Sequence, residues 1–427
     1  MLYIPALRSR LSRSRPAVFV IVAGLVAFLA YGCVYAFRKP FTAASFTGLE
    51  VWGVQYKIAL VIAQVAGYAL SKFAGIGIIS GMGVRHRSTI LLAILFTAIV
   101  SLTGFAYSSL YWGVFWMFVN GIPLGMAWGV VFSYLEGRRL TDALSALLCT
   151  NFIVSSGFVK TVGQWLMLEK HVSEFKMPLF TGLLFLPVLL VCVWLLEHLP
   201  PPDEADKAHR SEREPMTSAD RKRLFIRYAP GLMLLTGIYL VLTIMRDVRD
   251  NFAADIWNEL GFGHQPAILT VAELPVALVV LLSVGAMGFV YDHFRALRIN
   301  HGMMLGAAML TIAATLLFKY HLLSPVVWII SSGTGIFLSY ILFNGILFDR
   351  LMAAFKEKGN AGFLIYLADA FGYLGSVMVL LWRNFGQKDL DWVDFFCEIC
   401  LYGSATIIVL SLFSMTYIAK KRISFSR

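Results

Sequence analysis

Stretches of about twenty apolar residues recur along the whole of this 427-residue chain, and no other feature narrows its possible folds so far. A helix that crosses a bilayer needs roughly 20 such residues, because backbone polar groups in hydrocarbon must be hydrogen-bonded within their own segment. Scanned on that basis, the first half gives six candidate spans, at 17–45, 57–81, 88–107, 111–135, 143–166 and 179–197. After a polar gap come six more, at 228–250, 266–290, 298–319, 324–348, 361–382 and 395–419. Composition agrees: 59% of residues are hydrophobic and 14% charged, against about 25% charged in a soluble domain. The expected fold class is an all-α integral membrane protein, twelve transmembrane helices in two pseudo-symmetric six-helix bundles.

The segment "PPPDEADKAHRSEREPMTSADRKR" (200–223) supplies the gap, and its Pro, Ser and charge content reads as a linker. The expected organisation is a bundle over 1–198, a cytoplasmic linker over 199–226 and a second bundle over 227–427. Lys and Arg crowd the even-numbered helix boundaries and both termini, beginning with Arg8, Arg10, Arg13 and Arg15. The positive-inside rule then places both termini in the cytoplasm. That topology accounts for most of the net charge of +11 without a nucleic-acid partner. The first segment lacks a small-residue cleavage site followed by a polar domain, so it is expected to be a retained span.

The halves resemble each other. Tyr31 and Arg38 have the spacing of Tyr239 and Arg246, both Y-x6-R at an offset of 208, and at that offset Gly77 meets Gly285 and Arg87 meets Arg295. Later, "ALSALLCTNFIVSSG" (143–157) lies over "AGFLIYLADAFGYLG" (361–375), pairing Asn151 with Asp369. Such identities are what a parallel repeat about the membrane normal would leave. Small residues at four-residue spacing (Gly121, Gly125, Gly129; Ser331, Gly335, Ser339) read as close helix packing. The five cysteines lie within spans, and Cys397–Cys400, with no His or second pair near, reads as packing rather than a redox or metal pair.

Charges inside apolar spans are costly and ask for a role. Here they are Arg38, Lys72, Lys160, Arg246, Glu273 and Asp369, with Arg249 expected at the rim. On that count cations outnumber anions, which points to a watered cavity or an anionic ligand, since an unpaired buried charge costs several kcal/mol. The apolar run Phe41–Thr47 would let the first helix continue past Arg38 instead of ending there. Arginine suits an anion site, because its planar fork holds phosphate or carboxylate through two parallel hydrogen bonds. Lys160 and Asp369 are candidates to neutralise one another, and Glu273 is either a proton site or the partner of an arginine.

"FRKPFTAA" (37–44) and "GYALSKFAGIGIISGMGVRHR" (67–87) resemble the major facilitator superfamily. Within it they are similar to the organophosphate:phosphate antiporters, which include the glycerol-3-phosphate and hexose-6-phosphate transporters. The resemblance implies that Arg38 and Arg246 bind substrate phosphate, assisted by Lys72 of Ser71-Lys72-Phe73. The superfamily's cytoplasmic gating signature appears as "GFVYDH" (288–293), which implies gating roles for Asp292 and Arg295. The corresponding "GMGVR" (81–85) has no acid, and the histidine that the family carries on its fifth helix is absent from "CTNFIVSSG" (149–157).

The first expectation is therefore a secondary transporter of a small organic anion, an organic phosphate exchanged for phosphate by alternating access. Its substrate-binding set is Arg38, Lys72, Arg246, Lys160, Asn151, Tyr31 and Tyr239, with Asp369 and Glu273 coupling or balancing charge. The alternatives are a proton- or sodium-coupled transporter of another solute, or a transporter-like receptor for a phosphate ester. An enzyme is not expected: all eight His lie in loops or near helix ends, no Ser-His-Asp set stands out, and no metal or other cofactor is called for. The expected partners are a small anionic substrate and the lipid bilayer, in a monomer of a bacterial inner (plasma) membrane.

Overall fold

A computed structural model describes residues 4–13, 15–80, 86–135, 144, 147–201, 218–355, 357, 361–386 and 390–426. The chain divides into two units, Met1–Glu212 and Arg213–Arg427. It is an all-α membrane protein. Among the described residues, nine helices are long and apolar enough to cross a bilayer, and Ile21–Tyr35 is a shorter apolar helix.

The first unit contains α1 (Pro5–Ser12), α2 (Pro16–Tyr35), α3 (Tyr56–Ser80), α4 (Arg87–Tyr107), α5 (Leu110–Ser133), α6 (Val154–Leu168) and α7 (Met177–Glu197). A short antiparallel hairpin, Glu50–Val51 with Val54–Gln55, precedes α3. The α3 helix packs on α5, α4 lies on α5 and α7, and α2 lies on α7. Two glycines allow the α3–α5 approach. A Cβ on Gly67 would sit 2.2 Å from the Phe118 carbonyl oxygen, and one on Gly121 would sit 2.2 Å from that of Gln64. Small residues at this interface thus serve backbone contact.

The first span does not continue past Arg38. Its α-helix ends at Tyr35, and a short 3-10 turn, Pro40–Ala43, follows. Pro40 has no N–H to bond the carbonyl four residues back, and its ring clashes with that carbonyl, so an apolar run alone could not carry the helix onward.

The second unit contains α8 (Ser218–Asn251), α9 (Ala253–Glu259), α10 (Ile268–Val271), α11 (Glu273–Met287), α12 (His293–Lys319), α13 (Pro325–Leu342), α14 (Phe348–Ala354), α15 (Ala361–Gly386) and α16 (Trp392–Ser426). The α8 helix packs on α15, α16 and α13; α11 and α12 lie on α13, and α12 lies on α16. A π-helical segment, Phe343–Leu347, joins α13 to α14.

Two further sequence readings change. Residues 218–226, read as linker, form the start of α8, which kinks at Tyr228 two residues before Pro230. His301, read as lying near a helix end, is 1% exposed within α12, with Nδ1 2.8 Å from the Leu297 carbonyl and Nε2 3.0 Å from Ser414 Oγ. Most of the linker (202–217), the start of the 143–157 repeat and the GMGVR stretch lie outside the described residues.

Candidate functional site

Each unit holds a polar cluster in an apolar helical setting. In the first, the last carbonyls of α2 still accept backbone N–H groups, but those of the turn that follows lie beyond the helical hydrogen bonds. Side-chain amides meet two of them. Gln64 Nε2 donates to the Arg38 carbonyl at 2.9 Å and to Asn120 Oδ1 at 2.8 Å. Asn120 Nδ2 in turn donates to the Phe37 carbonyl at 3.2 Å and to Ser101 Oγ at 3.0 Å. Both amides are buried, so they fix the turn that carries Arg38.

Above that turn the Arg38 guanidinium carbon lies 4.0 Å from the centre of the Tyr68 ring, and Lys72 Nζ lies 5.3 Å from the same centre. Cations over an aromatic face gain about 0.5–2 kcal/mol, more as water is excluded. Gln64, Tyr68 and Lys72 recur every four residues on α3, one face of a helix. The structure therefore brings Arg38 and Lys72 together around Tyr68, which sequence reasoning missed.

Lys160 is 3% exposed on α6. Asn151, in the preceding 3-10 turn, accepts a hydrogen bond from Ser155 and packs with it against Gly32, where a Cβ would fall 2.9 Å from Ser155 Oγ. Tyr31 makes edge-on contacts with Tyr35 and Phe152 at ring-centre distances of 5.4 and 6.3 Å.

In the second unit Tyr239, on α8, is the hub. Its hydroxyl donates to Asp369, receives a bond from Asn344 Nδ2 at 3.0 Å, and lies 3.0 Å from the Tyr340 hydroxyl. Asn344 belongs to the π-helical segment; such segments recur at functional positions. About two turns further along α8, the Arg246 guanidinium carbon lies 4.2 Å from the Tyr340 ring centre and 5.7 Å from that of Tyr373. Its Nη2 and Nε bond Asp247 Oδ1 at 2.6 and 3.2 Å, and Ser376 Oγ donates to Asp247 Oδ2 at 2.9 Å. Asp369, Tyr373 and Ser376 share the α15 face packed on α8.

The structure bears on three sequence expectations here. Arg249, in the last turn of α8, is buried there and not exposed: it is 4% exposed, and its Nη1 pairs with Glu273 Oε1 at 2.7 Å. Of the two roles open to Glu273, the arginine partner is the one observed. The buried set also gains two acids, Asp247 and Asp250 at 3% and 9% exposed, but it gains the cations Lys39, Lys57 and Arg383 as well, so among the described residues buried cations still outnumber buried acids, seven to four. Asp247 and Asp250 lie within the expected span 228–250 but were left out of the count of charges inside it.

Asp292 caps α12, accepting from the Arg295 backbone N–H at 2.5 Å, while the Arg295 side chain is exposed. The cysteines are all free and buried, Cys397 and Cys400 included. No group of three or more metal-ligating side chains occurs among the described residues.

No curated protein matches this chain. Residues 40–421 match the profile of a family described as "Family of unknown function (DUF5690)", which covers both clusters apart from the part before Pro40, Tyr31 and Arg38 included. The chain belongs to this DUF5690 family.

Proposed function

We propose that this chain is a secondary active transporter that moves a small organic anion across its membrane by alternating access. The finer reading is an organic phosphate exchanged for inorganic phosphate, as the likeness to the organophosphate antiporters implies. The observation that carries it is an arginine set over a tyrosine ring in each unit, Arg38 over Tyr68 and Arg246 over Tyr340. A guanidinium held on a ring face has its donor edge directed by the stacking, which suits a forked grip on an oxyanion. Lys72 adds a second cation beside Arg38, and Lys160 is a further candidate on α6.

Helix pairing supports two equivalent six-helix bundles. The pairs α3–α5, α4–α5, α2–α7 and α4–α7 have counterparts in α11–α13, α12–α13, α8–α16 and α12–α16. The reading entails no enzymatic step, a monomer, and both termini in the cytoplasm of a bacterial inner membrane.

One observation favours a second reading. Asp369 is 4% exposed and receives the Tyr239 hydroxyl, an arrangement that could carry a coupling proton. A proton-coupled anion carrier would use Asp369 for the proton and Arg38 for the anion.

The test is exchange of labelled inorganic phosphate in proteoliposomes preloaded with phosphate, for wild type, Arg38→Ala and Arg246→Ala, each checked by thermal melt. Exchange in wild type that Arg38→Ala abolishes supports the anion site. Absence of exchange by a folded wild type overturns the phosphate reading. Uptake that instead follows an imposed proton gradient and fails in Asp369→Asn favours the second.

A further inference from the structure

Away from the two clusters, a cavity of about 370 Å³ opens between α12 and α16 in the second unit. Its floor is apolar, formed by Leu297, Met415 and Ile418, and two arginines, Arg298 and Arg422, line it as well. The helices run antiparallel here: His301 meets Ser414 deep in the interface, while the Arg422 guanidinium carbon lies 4.9 Å from the Phe294 ring centre near the start of α12. Positive charge is therefore gathered at one end of the groove, where Arg298 and Arg422 line it. Both helices are long and apolar enough to cross the bilayer.

Arginines at helix ends commonly reach for water with their stems on apolar surface. That accounts for one exposed arginine, but not for two on neighbouring helices lining one apolar groove. We propose that this groove binds an anionic phospholipid, one acyl chain lying along Leu297, Met415 and Ile418 and the phosphate meeting Arg298 and Arg422. Charge complementarity selects this occupant. A neutral lipid would gain only the apolar contact, whereas basic pockets between transmembrane helices favour anionic head groups. A soluble phosphate ester would gain only the arginines and leave the floor uncovered. The site does not depend on the transport reading, since it lies within one unit and shares no residue with either cluster.

The experiment is thermal unfolding of the purified full chain in detergent, with phosphatidylglycerol or phosphatidylcholine of identical acyl chains added in turn. A lipid that binds only the folded state raises the midpoint by mass action. Phosphatidylglycerol should raise it more than phosphatidylcholine in wild type, and Arg298→Gln/Arg422→Gln should erase that difference while keeping the phosphatidylcholine response. Ala419→Trp, at an exposed lining position, should reduce the response to both lipids. Equal responses in wild type, or an anionic preference that survives the double substitution, would overturn the proposal. So would an equal rise from glycerol phosphate, which has no acyl chain. If the Trp variant does not fold, the Gln pair decides.

Discussion

The two units use the same apolar helices and bury charge differently. Among the described residues, the fully buried charges of the first unit are Lys39, Lys57, Lys72 and Lys160. Those of the second are Arg246, Arg249 and Arg383 with Asp247, Asp250, Glu273 and Asp369. Removing Arg246 or Arg249 therefore strands a buried carboxylate of the same unit, Asp247 or Glu273. Removing a lysine from the first leaves no buried carboxylate among that unit's described residues. The difference separates what a cation does for the fold from what it does for a passing anion: in the second unit Arg246 and Arg249 are partly structural, each holding a buried acid, while in the first Arg38 lies over Tyr68 as the proposed ligand contact.

The largest effect should come from the Arg249–Glu273 pair. Arg249→Met leaves Glu273 buried beside apolar neighbours, and breaking such a pair costs about 3–5 kcal/mol. A large drop in the melting midpoint of the purified protein is expected, with much of it restored in Arg249→Met/Glu273→Met. If the single variant melts like wild type, the second unit is not stabilised by its own pairs and the contrast collapses.

Next in size is a functional effect without a stability effect. Arg38 is half-buried at the end of a turn whose carbonyls Gln64 and Asn120 hold, so Arg38→Ala keeps that scaffold. Losing charge-assisted hydrogen bonds of about 1.5–3 kcal/mol corresponds to roughly 10–100-fold weaker anion binding. Phosphate exchange should fall by about that factor at low substrate while the midpoint stays near wild type. Arg246→Ala should lose both exchange and stability, because Asp247 then keeps only Ser376 of its two observed partners. Equal behaviour of the two variants would erase the distinction between the units.

The comparison also shows which parts of this molecule can be read from its sequence. Twenty-residue apolar runs make the membrane class legible, because hydrocarbon demands helices of that length. Charges within them made Arg38, Lys72 and Arg246 visible as isolated costs. The helix end at Tyr35 was missed because hydropathy weighs side chains, whereas Pro40 acts through its missing N–H. Tyr68 and Tyr340 were missed because tyrosines are ordinary in such helices until a guanidinium lies over them. Gln64, Tyr68 and Lys72 could have been found by their four-residue spacing. Glu273 found its partner only in the fold, since Arg249 lies 24 residues away in sequence and on another helix.

A smaller effect should come from the Tyr239 hub, which separates proton coupling from plain structure. Tyr239→Phe removes the donor to Asp369 and the acceptor for Asn344, at about 1–3 kcal/mol for buried groups left unsatisfied. Asp369→Asn keeps a hydrogen-bonding group in place but cannot carry a charge. If Asp369 moves a coupling proton, Asp369→Asn flattens the pH profile of uptake while Tyr239→Phe shifts it. If the second unit's acids only balance charge, both variants lower the midpoint and leave the shape of that profile unchanged.

The smallest effect concerns how α4 and α12 begin. The N-cap of α12 is Asp292, whose carboxylate accepts the Arg295 N–H, whereas His86 stands at the N-cap of α4 with no side-chain cap bond. Replacing a capping Asp by Ala costs about 1 kcal/mol, and Asn caps nearly as well as Asp. As a cap, Asp292 predicts a slightly lower midpoint for Asp292→Ala, near-wild-type behaviour for Asp292→Asn, and transport unchanged in both. As a gating carboxylate, it predicts that both variants lose transport, because neither keeps the charge. The Asn variant thus isolates charge from capping, and transport measured on it alone decides whether the acid that only the second unit carries here serves α12 or the gate.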